Sequence, residues 1–264
     1  MNITKFIIKN IMKLVLREAK TFRHIFDSIK DNYNTYDLRF TPEGLNLQCI
    51  DPCSISIFEF FLDKEYFESY DSEYDLVISV EAESFNKCCH LIQSDDTLTL
   101  SNECNDKLSF NLESEKRKLK LKLSQLVTLN DLLDCSNKLN CSHYIKMNSK
   151  VFSQYYNDLK QFDCEEITFI NKSNNKNLIL KGENSITDIE IEIEKGTDHL
   201  SIFKYGDNLR ERFPLKYFSM INKLSSISKN ITFNIGNNKP IKVGTYLTEK
   251  SFVRLIVAPK MSDE

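Results

Sequence analysis

Residues 36–60, YDLRFTPEGLNLQCIDPCSISIFEF, carry a clear strand pattern. Apolar and polar residues alternate on both sides of Pro-Glu-Gly, which is typical of two half-buried strands joined by a tight turn, and a third alternating run follows. Five apolar residues just before this stretch recur at helical spacing: Ala19, Phe22, Ile25, Phe26 and Ile29. We therefore predict one helix followed by three antiparallel strands.

The second half of the chain repeats this order. Residues 165–194, EEITFINKSNNKNLILKGENSITDIEIEIE, predict three more strands, and a helical pattern precedes them at Val151, Phe152, Tyr155, Tyr156 and Leu159. Phe22 and Phe152 lie 130 residues apart, and Phe85 and Phe218 lie 133 residues apart within second predicted helices, 82–93 and 214–229. Alternating segments follow both of these helices. The sequence therefore predicts a duplicated α+β protein with two helices and an antiparallel sheet in each copy.

The overall charge of the chain gives no reason to expect binding to nucleic acid or to an anionic membrane. The 264 residues carry a formal net charge of -3, so binding of an anionic partner requires locally placed lysines. Eight cysteines without paired CxxC motifs, and without a secretory signal, predict reduced thiols in an intracellular compartment. Lys5, Lys9 and Lys13 interrupt the apolar start, which predicts neither a signal peptide nor a membrane span.

Sequence motifs of catalysis are missing. The six glycines form no GxGxxG or GxxxxGK[ST] motif, and neither GxSxG nor HExxH occurs. Cys88, Cys89 and His90 are consecutive, so on a helix they point in three directions, which favours buried cysteines over a thiol or metal site. We expect no enzyme activity, no catalytic residue, no metal and no cofactor. An enzyme that uses this cluster stays an alternative, and it predicts bound zinc or loss of turnover on Cys→Ser substitution.

Two predicted strands carry opposite charges. Residues 117–123, RKLKLKL, alternate leucine with lysine, and residues 188–194, DIEIEIE, alternate isoleucine with glutamate. Pairing these strands would place opposite charges across each rung, at about 0.2–1 kcal/mol per pair. The pair can form within one chain or, head to tail, between subunits, and the pattern alone leaves both open. The charged residues are Lys118, Lys120, Lys122, Glu190, Glu192 and Glu194.

Five segments resemble, in order and spacing, the proliferating cell nuclear antigen family, the sliding clamps of eukaryotes, archaea and some large DNA viruses. They are GLNLQCIDPCSISIFEF (44–60), FNKCCHLI (85–92), KMNSKVFSQYYNDLKQF (146–162), FPLKYFSMINKLSSIS (213–228) and VAPKMSDE (257–264). The most specific pieces are the N-L-Q-x-x-D-x-x-x-x-S run and the A-P-K-x-x-D-E end. The resemblance extends from about residue 12 to the end, and residues 1–11 have no counterpart.

The resemblance implies a duplicated two-domain DNA-clamp fold, with helices lining a central hole, sheets outside, and a head-to-tail homotrimeric ring. The implied parts are clamp domain 1 (12–123), an interdomain connector (124–140) and clamp domain 2 (141–264). The lysine and glutamate strands fall at the interface strands of the family, which favours pairing between subunits. The implied function is that of a DNA polymerase processivity factor, which encircles duplex DNA without sequence preference and tethers replication and repair proteins through short peptide motifs.

The resemblance also implies a set of basic residues that face the duplex phosphates, in contacts that are nonspecific and sensitive to salt. The expected DNA-facing residues are Lys20, Arg23, His24, Lys30, Lys87, His90, Lys150, Lys160, Lys216, Lys223 and Lys229. The sequence departs from the family on the third helix, where Gln154, Asn157 and Gln161 stand at basic positions of the family. A weaker or shifted basic track is expected there.

A pocket for partner peptides is implied as well, in which a short helical turn with aromatic anchors inserts into an apolar groove. Its expected residues are Ile50, Ile55, Ile57, Leu126, Leu129, Pro240, Ile256, Ala258, Pro259 and Met261. Ile256 stands where the family often has an aromatic residue, and the connector is divergent, so client preference is expected to differ. The VAPK stop would present backbone groups and a free tail to clients.

The expected partners are duplex DNA, a DNA polymerase, a clamp loader and other proteins with a clamp-binding motif, without a membrane. The expected location is the nucleus, or the viral replication site if the protein is viral, because an Asn- and Lys-rich, Gly-poor composition is typical of AT-rich genomes. A checkpoint or transcription accessory subunit with the clamp fold, acting in a hetero-oligomer, is the alternative. Complementary lysine and glutamate strands within one chain favour self-assembly.

Overall fold

The computed structural model describes residues 12–104, 106–127, 133, 141–172, 177–196, 200–204 and 208–261. The chain divides into two units that interleave along the sequence. The first consists of Met1–Arg23, Asn34–Leu47 and Phe61–Asn130, and the second of His24–Tyr33, Gln48–Phe60 and Asp131–Glu264. Most of the predicted connector, including Leu129, lies outside the described residues, as do residues 1–11.

The helices and strands follow the predicted order. In the first half they are β1 (Met12–Leu16), α1 (Ala19–Ile29), β2 (Thr35–Thr41), β3 (Gly44–Ile50), β4 (Ser56–Asp63), β5 (Ser69–Ser72), β6 (Leu76–Glu81), α2 (Ala82–His90), β7 (Thr97–Cys104), β8 (Lys107–Glu113) and β9 (Lys118–Ser124). In the second half they are β10 (His143–Asn148), α3 (Ser149–Gln161), β11 (Glu166–Asn171), β12 (Leu178–Glu183), β13 (Asp188–Ile193), β14 (Leu200–Lys204), β15 (Leu209–Pro214), α4 (Phe218–Lys223), β16 (Asn230–Ile235), β17 (Ile241–Tyr246) and β18 (Phe252–Val257).

In the first unit, five antiparallel strands form a sheet in the order β5-β1-β7-β8-β9. Strand β2 pairs with β3 and β6. The predicted Pro-Glu-Gly turn joins β2 to β3 and requires its glycine, because Gly44 has φ +154° and a Cβ there would lie 2.2 Å from the Leu62 carbonyl oxygen. The sequence prediction of this hairpin is confirmed.

In the second unit, one antiparallel sheet has the order β13-β12-β11-β15. A second sheet contains the run β14-β10-β16-β17-β18. Helix α3 begins after Asn148, whose side chain accepts a hydrogen bond from the Lys150 N–H. Its buried face, which includes Phe152, Tyr156 and Leu159, packs toward the sheets.

The two aromatic cores show the duplication directly. In the first unit, the Phe22 and Phe85 rings lie 6.3 Å apart, centroid to centroid. In the second unit, the Phe152 and Phe218 rings lie 6.2 Å apart. These are the residues that the sequence offsets matched, so equivalent helices meet through equivalent phenylalanines in both copies. The predicted duplicated α+β fold is therefore confirmed.

The second helix of the second unit is shorter than predicted. A 3-10 turn, Leu215–Tyr217, precedes α4, and another, Leu224–Ser226, follows it. Serine and β-branched residues in SSIS, 225–228, are weak helix formers, which explains the early end. Lys229 consequently lies in the turn before β16 and not on the helix. Among the described residues, no helix is both long and apolar enough to cross a membrane.

Candidate functional site

Strand β9 is the outer strand of its sheet. It pairs with β8 alone, and Lys118, Lys120 and Lys122 lie opposite Glu113, Asn111 and Ser109.

The three lysines differ in what surrounds them. The Lys118 Nζ lies 2.5 Å from the Glu113 carboxylate, whereas the residues opposite Lys120 and Lys122 are uncharged. Leu119, Leu121 and Leu123 on the other face are only half-buried. The strand thus presents an unpaired backbone edge and two lysines without an ion-pair partner among the described residues.

Strand β13 is the outer strand of a different sheet and pairs with β12 alone. Glu190 lies opposite Lys181, but the Lys181 Nζ is instead within 3.0 Å of Glu183 and 3.5 Å of Asp188. Glu192 accepts a hydrogen bond of 2.8 Å from the Asn177 side chain. Glu194 follows the strand and is exposed.

The two charged strands are therefore edges of two separate sheets and do not pair with each other in the part of the chain that the structure describes. The alternative of a pair within one chain is wrong for these strands. Each leaves one side of its backbone open, and an open edge accepts another strand.

The predicted DNA-facing residues of the first unit lie on α1 and α2. The Arg23 guanidinium donates to the Ile92 carbonyl over 2.9 Å and lies 3.2 Å from the His90 Nδ1, so it connects the two helices. Lys87 pairs with Glu83 one turn earlier, at 2.6 Å, and that carboxylate raises the pKa of the Lys87 ammonium. Lys20 is exposed. The structure thus brings Arg23 and His90 together and leaves Lys20 and Lys87 in solvent.

Basic residues of the second unit are mostly exposed. The Lys223 Nζ lies 3.7 Å from Asp31 and 3.5 Å from the Asp27 carbonyl, which connects α4 to the end of α1. The Lys216 ammonium lies 4.9 Å from the Tyr217 ring centre. His24 is half-buried, and the other predicted cations are exposed: Lys30, Lys150, Lys160 and Lys229. Gln154, Asn157 and Gln161 are exposed uncharged positions on α3.

Apolar residues of the predicted pocket meet where β4 lies beside β18. The Ala258 N–H donates to the Ile55 carbonyl over 2.9 Å, and the Arg254 guanidinium pairs with Glu59. Ile57 on β4 and Ile256 on β18 lie between these two contacts. Ile256 is buried, Ile50 is 43% exposed and Met261 is 91% exposed. Half-buried residues complete the set: Ile55, Ile57, Pro240, Ala258 and Pro259.

Asp51 holds the loop that carries Ile55. Its carboxylate accepts hydrogen bonds from the N–H groups of Cys53 and Ser56 and, over 3.0 Å, from the Tyr217 hydroxyl. Burial acts to raise the pKa of Asp51, but these hydrogen bonds outweigh it and lower the pKa. Burial and the bond to Asp51 raise the pKa of Tyr217 to about 12. Sequence reasoning missed this pair, although Asp51 is the acidic residue of the quoted N-L-Q-x-x-D run.

Hydrogen bonds and an ion pair hold the VAPK segment, residues 257–260, in place. The Lys260 N–H donates to the Arg212 carbonyl over 2.9 Å, and the Lys260 ammonium pairs with Glu166. Because the Ala258 and Lys260 N–H groups are both bonded, neither is left for a client. Residues 262–264 lie outside the described residues. In the first unit, Leu126 is 41% exposed, and its N–H donates to the Ser79 carbonyl.

The two cysteines of the run Cys88, Cys89, His90 are core residues. Cys88 and Cys89 are buried on α2, whereas the adjacent His90 is exposed. Burial raises the pKa of the Cys88 thiol, which disfavours the reactive thiolate. The described residues contain no group of three or more His, Cys, Asp or Glu side chains arranged to hold a metal ion.

Comparison with known families covers almost the whole chain. The N-terminal domain of proliferating cell nuclear antigen matches residues 11–135, and its C-terminal domain matches residues 136–261. The chain belongs to the proliferating cell nuclear antigen family. Membership supports a clamp function in DNA replication.

Individual relatives in the family are distant but match over their full length. The proliferating cell nuclear antigen of Dictyostelium discoideum is 24% identical over 253 residues, covering 93% of this chain and 98% of the relative. DNA polymerase sliding clamp 2 of Sulfolobus acidocaldarius is 22% identical over 251 residues, covering 94% and 99%. A crystal structure of the PCNA2-PCNA3 complex from Sulfolobus tokodaii shares the fold, with a TM-score of 0.86, 20% identity, and coverage of 94% and 99%.

Proposed function

We propose that this protein is a DNA polymerase processivity factor whose subunits close head to tail into a homotrimeric ring around duplex DNA. One observation carries the proposal: a single chain presents a lysine edge strand in one unit and a glutamate edge strand in the other. Pairing β9 of one copy with β13 of the next satisfies both open edges and both sets of charges. Repeated contacts of this head-to-tail kind form a closed ring if the rotation closes.

The proposed domains are 12–123 and 141–264, joined by the connector 124–140. The predicted basic residues on α1 to α4, with Lys30 and Lys216 next to these helices, face the duplex, and Lys229 in the turn before β16 extends their track. A ring holds DNA by enclosing it, so these cations need no base-specific contact. The α3 face, with Gln154, Asn157 and Gln161, contributes less charge than the other helices.

The apolar residues around Ile57 and Ile256 form the proposed docking site for partner motifs, in which one helical turn of a client enters a groove. The proposed clients are a DNA polymerase, a clamp loader, and other replication and repair proteins that carry such a motif. The ring tethers them and performs no chemistry of its own. We place this activity in the nucleus, where eukaryotic relatives of the family act.

A hetero-oligomer is the second candidate, and one observation favours it: a solved structure with the same fold is a complex of two different chains, PCNA2 and PCNA3. In such an assembly, one charged edge would meet a different subunit. The presence of both complementary edges in this chain favours the homotrimer.

Retention on DNA with blocked ends tests the ring. Parent protein at high concentration is threaded onto linear duplex DNA, the ends are either left free or closed with bound streptavidin, and the mixture is diluted. We expect the protein to stay on DNA with closed ends and to leave DNA with free ends. Equal loss from both DNAs would contradict encirclement.

The matched variants for this test carry two changes each. Lys120→Glu, Lys122→Glu should abolish retention because the β9 edge then repels the glutamate strand. Lys64→Glu, Lys250→Glu changes the charge equally at exposed lysines that lie outside β8 and β9 and should retain the DNA.

A further inference from the structure

An open groove of about 410 Å³ lies in the second unit, outside the pocket and the edge strands described above. Its floor is the outward face of three paired strands, in which Lys146 lies opposite Thr232. The turn before β16 and the end of β17 form its wall. The lining residues are Tyr144, Lys146, Ile227, Ser228, Lys229, Asn230, Thr232, Thr245, Tyr246 and Leu247.

The groove is positively charged. Lys146 and Lys229 are its two ionised groups, and none of the described lining residues is acidic. The wall hydroxyls donate inward: Thr232 to the Gly244 carbonyl, and both Ser228 and Thr245 to the Asn230 carbonyl. The two ammonium groups are therefore the charged donors that the groove offers to an anion.

The groove also contains a usable aromatic face. Tyr246 is 63% exposed, and its ring lies at an angle to that of Phe252, with ring centres 6.4 Å apart, so the two rings do not stack on each other. Tyr144 lies nearby and is half-buried. An exposed ring beside lysines on a sheet surface suits a nucleotide, because the base stacks while the phosphate meets a cation.

An extended peptide fits this floor less well. Each of β10, β16 and β17 is hydrogen-bonded to a strand on both sides, so the floor offers no open backbone edge for strand addition. Binding must use side chains alone, and these include two tyrosines and two lysines beside polar and aliphatic residues.

We propose that this groove binds single-stranded nucleic acid, with a base stacked on Tyr246 and phosphates held by Lys146 and Lys229. The site lies on the sheet and not on the duplex-facing helices of the proposed clamp, although it shares Lys229 with their basic track. It would hold a displaced or unpaired strand at the surface of the protein.

Fluorescence anisotropy with labelled oligothymidylate and oligouridylate of about eight nucleotides tests the site, since such platforms span about 4–16 nucleotides. We expect Tyr246→Ala and Lys146→Glu each to weaken binding about tenfold, because stacking of a base contributes about a factor of ten or more. Tyr246→Phe keeps the ring and should bind as the parent does. A preference between the two oligomers identifies the DNA or RNA source.

Variants outside the groove test whether the oligomer binds in the groove. Lys107→Glu has the same charge change as Lys146→Glu on an exposed lysine of the other unit and should bind normally. Lys160→Ala, Lys216→Ala removes duplex-facing charge and should weaken short-oligomer binding less than Tyr246→Ala. If this double variant abolishes binding while Tyr246→Ala does not, the groove is not the site.

Two further outcomes overturn the proposal. One is no binding of either oligomer by folded parent protein. The other is displacement of the oligomer by a polyglutamate peptide together with indifference to Tyr246→Ala, which would point to an acidic protein partner. The retention assay for the proposed ring uses long duplex DNA with blocked ends. A negative result in that assay therefore does not contradict single-strand binding by the groove, and a negative result here does not contradict the ring.

Discussion

At the residue scale, Asp51 connects a distant element to the proposed partner pocket. Its carboxylate fixes the loop 51–55, in which Ser54 adopts a left-handed φ of 56°, and Ile55 in that loop accepts a hydrogen bond from Ala258. Tyr217, 166 residues further along the chain, donates to the same carboxylate. A buried carboxylate with several donors is costly to alter, since each donor left unpaired loses its bond.

We expect Asp51→Asn to lower the free energy of unfolding at neutral pH by about 1–3 kcal/mol, because buried donors lose an ionised acceptor. Urea titration followed by circular dichroism measures it. Because the folded pKa of Asp51 is lowered, its contribution is present above the unfolded pKa of about 4 and is lost as pH falls through the folded value. The difference between variant and parent should therefore shrink in acid.

Tyr217→Phe is the matched control, since it removes one donor and keeps the carboxylate and the ring. It should destabilise less than Asp51→Asn. A variant Asp51→Asn with parental stability at neutral pH would show that the hydrogen bonds do not hold the loop.

The sequence could identify Asp51 as part of a recognisable motif but not as the partner of Tyr217. Periodicity reports only which face a residue occupies, and a bond across 166 residues depends on how elements pack. For the same reason, the sequence could not predict the contact between Arg23 and His90, which joins two helices. Nor could it single out Tyr246, which lies in no recognisable motif.

At the scale of elements, the alternation of apolar and polar residues was the most informative sequence pattern for predicting strands. The predicted strands β9 and β13 are confirmed as strands, because a period of two fits only a half-buried strand. The predicted helix 214–229 was wrong in extent, because apolar spacing cannot distinguish an α-helix from 3-10 turns at serine-rich ends. Which sheet each charged strand joins could not be predicted, since strand neighbours are set by long-range pairing.

The contact between α3 and β12 depends on Gly182. A Cβ at this position would lie 2.7 Å from the Leu159 Cδ2 and 2.8 Å from the Cys164 Sγ. We expect Gly182→Ala to destabilise the protein by about 1–3 kcal/mol, because the Leu159 and Cys164 side chains must move out of their packed positions. Thermal unfolding followed by circular dichroism measures the effect. Ser185→Ala, at an exposed position in the next turn, should unfold as the parent does, and a parental midpoint for Gly182→Ala would contradict the close packing.

At the scale of the whole molecule, duplication explains why one chain has two different open edges. Each copy ends a sheet with a strand of one charge, and the matched phenylalanine pairs show that the copies share one plan. The order of elements and the family could be predicted from the sequence. The separation of β9 and β13 could not, because only the structure decides between a pair within one chain and two open edges.

If these edges join copies of the chain, the solution mass of the protein, measured by light scattering at moderate salt, must show it. We expect three times the 30.9 kDa chain mass for the parent and a single-chain mass for Lys120→Glu, Lys122→Glu. Adding Glu190→Lys, Glu192→Lys to that variant exchanges the charges and should restore the trimer. A parent that stays monomeric at tens of micromolar, or a trimer that ignores the lysine changes, would contradict the claim.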